Sequence, residues 1–84
     1  MLIFTKHAKE KIDVLKRLGF TVTEQQIIGT VEHPELIDYT RLPELIAQRK
    51  IDSTHVLRVV YKIVQMDIKI ITFYPGRAKQ YEKK

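Results

Sequence analysis

The chain contains no cysteine, so disulfides and thiolate metal sites are excluded outright. Glycine is scarce, with three scattered residues in 84, and no glycine-rich loop is available to cradle a phosphate chain. No apolar run approaches the ~20 residues that span a bilayer. The start, MLIFTKHAKEK, lacks a basic segment followed by an apolar one, so no signal peptide is read there. The expected compartment is the cytoplasm, with no membrane partner. Internal repeats and low-complexity segments are also absent.

What is present is the composition of one folded domain covering residues 1–84. Apolar residues make up 44% and charged residues 30%, values that separate the chain from disordered sequences. A chain this short buries about 60–65% of the surface it exposes when unfolded, which predicts modest stability or support from a partner. The net charge is +5, and its distribution is uneven. Residues 6–17 hold five bases against two acids. Residues 21–55 reverse the balance, and from Arg58 onward bases lead again. A domain basic at both ends and acidic in the middle can present one cationic face, which suits nucleic acid.

Hydrophobic spacing outlines the elements. LIFT (2–5) reads as a short strand. From His7 the pattern turns helical, with Ala8, Ile12, Leu15 and Leu18 on one stripe and Gly19 placed to close the helix in a left-handed conformation. Thr23 and Gln26 form a capping box, and Val22 with Ile27 supplies a hydrophobic staple for a second helix that Pro34 ends. ELIAQRKI (44–51) reads as a strand at the sheet edge, because of Pro43 and Arg49-Lys50. HVLRVVYKIV (55–64) and DIKIITFY (67–74) are the clearest strands, joined as a hairpin at Gln65-Met66. Pro75-Gly76 suits a type II turn, and RAKQYEKK follows as a basic tail with one helical turn. The expected fold is α+β: a small antiparallel sheet with two N-terminal helices on one face.

Alternation sends Leu57, Val59 and Tyr61 to one face of their strand and Val56, Arg58, Val60 and Lys62 to the other. With helices over the first set, Arg58 and Lys62 point into an open concavity. Arg77, leaving the next strand, comes within reach of it, and Tyr81 stands one helical turn further on. The bland alternative for Arg58 is a salt bridge to an acid of the middle segment. For Arg77 and Tyr81 it is a solvated tail with an anchoring aromatic.

The segments LRVVYKI (57–63) and ITFYPGRAKQYE (71–82) resemble the end of a RelE/ParE-like toxin. In that superfamily a strand with an Arg-x-x-Tyr core precedes a last strand leading into an arginine and a nearby tyrosine. The whole chain also resembles a small prokaryotic family of uncharacterised proteins in or near that group. Its members open with F-T-x-H-A, here Phe4, Thr5, His7 and Ala8, and close with a Y-P-x-x-R-like segment, here Tyr74 to Arg77. The resemblance implies metal-free RNA cleavage, often on the ribosome, by attack of a ribose 2′-OH on the adjacent phosphate. It also implies a cognate antitoxin laid over the basic groove.

Such chemistry needs cations around the transition state and a proton acceptor and donor. Arg58 and Arg77 suit the first requirement, since guanidinium binds phosphate through two donors. Tyr81 or His7 would assist proton transfer or stack on a base, with Lys62, Lys79 and Lys6 as further RNA-binding cations. ParE-like members keep the fold and poison gyrase instead. A non-catalytic RNA- or protein-binding module is the other class of function, and the edge near 44–51 offers a place for an added strand. His7, His33 and His55 are too far apart in sequence, without helical spacing or cysteine, to propose a metal site, and no cofactor is implied.

Overall fold

In a computed structural model the structure describes residues 1–81. The last residues of the basic tail, Glu82, Lys83 and Lys84, lie outside the described residues. The elements are β1 (Leu2–Phe4), α1 (Lys6–Arg17), α2 (Glu24–Glu32), β2 (Leu36–Asp38), β3 (Glu44–Lys50), β4 (His55–Val64), β5 (Asp67–Arg77) and α3 (Ala78–Tyr81).

The helices begin and end for local reasons. Thr5 caps α1, its hydroxyl oxygen accepting from the Ala8 N–H at 3.2 Å. At the other end Gly19 adopts φ +88°. Its N–H donates to Lys16, and the Phe20 N–H reaches back to the Leu15 carbonyl, a Schellman closure. In α2 the capping box is present in both directions. Gln26 N–H donates to Thr23 Oγ1 at 3.1 Å, and Thr23 N–H donates to Gln26 Oε1 at 3.0 Å. Val22 and Ile27, the staple pair, are both fully buried in the main core.

The five strands lie in the order β1-β5-β4-β3-β2, with β1 parallel to β5 and every other pair antiparallel. The sheet is therefore mixed rather than antiparallel. β3 also differs from expectation: it lies inside the sheet, between β4 and the three-residue β2, which covers its middle residues Ile46, Ala47 and Gln48. Pro75 and Gly76 form no turn but continue β5 to Arg77. Proline is tolerated there because β1 pairs with β5 only from Ile68 to Ile70, and the missing N–H falls on a strand with one unpartnered side. The two-residue link between β4 and β5 carries Gln65 at φ 58°, in the role usually given to glycine or asparagine.

Helices α1 and α2 cover one face of the sheet. The core there gathers Ala8, Val22, Ile27, Val31, Ala47, Leu57, Val59, Tyr61, Ile70 and Phe73. Each large side chain fully buried in it contributes roughly 1.5–3 kcal/mol of hydrophobic stabilisation. Alternation then assigns Val56, Arg58 and Val60 to the opposite face, as expected. That face is not an open concavity: Ile46, Val56, Val60 and Ala78 are buried there too, and α3 folds back across it.

Candidate functional site

Arg58 occupies the middle of β4 and is only 6% exposed. A guanidinium at that depth must have its donors satisfied, and three neighbours do so. Its Nε–H donates to the Tyr74 hydroxyl at 3.0 Å, one terminal nitrogen donates to Gln48 Oε1, and the other donates to Asp38 Oδ2 at 3.1 Å. The sheet register explains the meeting, since Gln48 and Tyr74 lie directly beside Arg58 on β3 and β5. Asp38, a middle-segment acid at the end of β2, forms the ion pair with Arg58. Its carboxyl is held at about 2, chiefly by hydrogen bonds from the Thr40 hydroxyl and amide, which outweigh the opposing effect of burial, with Arg58 adding to the lowering.

Tyr81 closes the cluster from above. Its ring centroid lies 4.4 Å from the Arg58 guanidinium carbon, within cation–π range, and the Tyr74 ring lies at 5.8 Å. Gly76 makes the approach possible, because a Cβ there would overlap Cε2 of Tyr81. Gln48 Nε2 also reaches the Tyr81 carbonyl, at 3.5 Å. Arg58 and Tyr81 are thus brought together. Beside them a shallow hollow is lined by Glu35, Leu36, Gln48, Lys50, Val56 and Tyr81, among others.

Arg77 goes elsewhere. It pairs with His55 at the end of β5, so alternation sends its side chain to the face of Leu57, opposite Arg58. There it is exposed and lines a groove with Ser53, Thr54, His55 and Lys79. His55 is held by Asp52 at 3.1 Å and packs edge-on against Phe20. Lys62 is exposed on β4, Lys79 on α3, and Lys6 on α1, where Glu10 lies 3.9 Å away.

His7 forms a separate cluster. From the first turn of α1 its Nε2 lies 3.2 Å from Thr72 Oγ1 on β5, and Lys11, one turn on, donates to the same oxygen at 3.3 Å. Burial lowers the pKa of Lys11, whose ammonium also lies 5.7 Å from the centre of the Phe73 ring.

Sequence reasoning missed Gln48, Tyr74, Lys11 and Thr72 as partners. The spacing of His7 and Lys11 on one helical stripe was a readable signal, whereas Thr72, Gln48 and Tyr74 needed the sheet register. His33 ends α2 as its C-cap and its carbonyl accepts from Arg49, so the three histidines sit on three different elements. No family model, curated protein or solved structure matches this chain.

Proposed function

We propose that this domain is a non-catalytic RNA-binding module with a RelE/ParE-like sheet. The observation that carries the reading is the set of partners around Arg58. All three guanidinium nitrogens donate within the protein and Tyr81 covers the plane. A cation engaged in this way is architectural, and Arg77 lies on the other face, so these two arginines do not converge on one phosphate. The exposed bases form a diffuse surface instead: Lys6, Lys9, Lys16 and Arg17 on α1, then Lys62, Lys69, Arg77 and Lys79. Charges spread in this way make independent phosphate contacts, each releasing counterions.

Fluorescence anisotropy with a labelled single-stranded RNA tests the reading. Affinity is expected to fall steeply between about 50 and 200 mM salt, and Lys62→Ala and Arg77→Ala should each weaken it by a few fold while the RNA stays intact. Loss of all binding through one substitution, or cleavage of the probe, would overturn the proposal.

A second reading, a metal-free toxin-type ribonuclease restrained by an antitoxin, is favoured by the Arg58–Tyr81 contact on the face that α1 and α2 leave uncovered. A substrate phosphate would then have to displace Asp38 from the guanidinium. Growth arrest on induced expression, relieved by Arg77→Ala or His7→Ala and accompanied by new RNA ends, is its signature. Unimpeded growth with abundant folded protein counts against it.

A further inference from the structure

We propose that His7, Lys11 and Thr72 form a phosphate-binding subsite at the free edge of β5, which rests on the RNA-binding reading for the source of its phosphate. Three groups able to donate converge on one point. Lys11 Nζ and His7 Nε2 both lie within 3.3 Å of Thr72 Oγ1, and the two α1 residues share a stripe at a spacing of four. The strand irregularity opposite Val60 and Tyr61 gives β5 one extra residue, Ile71. A bulge of this kind re-aims neighbouring side chains, and here Thr72 meets α1.

The cluster is rich in donors and poor in acceptors. Lys11 is partly buried, yet the ion pairs of the described residues leave it without a carboxylate. One of its three N–H donors is used by Thr72 and the others remain available. Thr72 has a hydroxyl that can rotate toward a ligand, and His7 can present an Nε2–H in either its charged form or one neutral tautomer. An oxyanion accepting from all three would supply the charge that Lys11 lacks. Access is unobstructed by any strand, since among the described residues nothing pairs with this edge of β5 beyond Ile70. A phosphate oxygen of an RNA backbone and free inorganic phosphate share this chemistry.

The test is an NMR titration of the full chain, following the His7 ring and the Thr72 amide. Two probes are used, inorganic phosphate and a short single-stranded RNA. Saturable shifts at both reporters are expected, weakened on the order of tenfold or more in Lys11→Met. Lys9→Met, an exposed neighbour outside the cluster, should leave phosphate binding unchanged and cost RNA only the few fold of one surface charge. Thr72→Val should weaken both probes as well, and amide dispersion verifies that each variant is folded. Saturation by phosphate without an RNA response would uphold the subsite and remove RNA as its source. RNA binding that is undiminished in Lys11→Met, with a silent His7 ring, would overturn the subsite and leave the RNA reading standing. Equal losses in Lys11→Met and Lys9→Met would also overturn it, since general electrostatics would then suffice.

Discussion

Arg58 shows how a charge survives inside an apolar strand. Its planar fork meets three acceptors fixed by the sheet, and among the described residues no buried side-chain nitrogen or oxygen is left unpaired. Removing the fork strands its partners rather than merely deleting a contact. Arg58→Ala is therefore expected to destabilise the fold by about 3 kcal/mol, against roughly 1.5 kcal/mol for Tyr74→Phe, which removes one acceptor; urea unfolding would rank the two. The same packing explains Gly76. Gly76→Ala should displace the Tyr81 ring from the guanidinium while the strands persist, which would appear as a loss of the ring-current shift on the Arg58 side-chain protons without loss of amide dispersion.

At the scale of elements, the helix ends were legible, whereas the turn read at Pro75-Gly76 gave way to the pairing that continues β5. The Thr23–Gln26 box, the Val22–Ile27 staple and the left-handed Gly19 depend on residues within a few positions of one another, and each stands as read. Because the box joins two reciprocal hydrogen bonds, Thr23→Ala should cost about 1 kcal/mol. Adding Gln26→Ala should cost less than the single substitution does alone; a double-mutant cycle by thermal unfolding checks this. β2 was invisible because three residues, Leu36–Asp38, are too few to display an alternation. Its presence outside β3 turned an expected edge into an interior strand and put Asp38 within reach of Arg58.

For the whole molecule, charge and acid sensitivity follow from where the carboxylates end up. Asp38 and Asp52 are both held at about 2 against an ordinary 3.8, Asp52 chiefly by the Thr54 amide and then by His55. A carboxyl with a depressed folded-state pKa favours the fold fully above its unfolded value, and that favour is lost as pH falls through the folded one. Stability should therefore hold above about pH 4 and decline between about pH 4 and pH 2. Urea midpoints across that range, with Asp38→Asn flattening the slope, would verify the assignment. No helix among the described residues is long and apolar enough to cross a membrane.

The sequence by itself determined both main helices, the Gly19 closure of the first and the capping box of the second, the β4–β5 hairpin, the face on which Leu57, Arg58 and their neighbours on β4 lie, and the excess of positive charge. These depend on backbone chemistry and side-chain period, which act over a few residues. Only the tertiary structure decided that β1 runs parallel to β5, that Arg58 is enclosed by Asp38, Gln48, Tyr74 and Tyr81, that Arg77 faces away from it, and that His7 and Lys11 meet Thr72. Each of these depends on register between segments tens of residues apart, and on a single inserted residue in β5 that shifts every side chain after it.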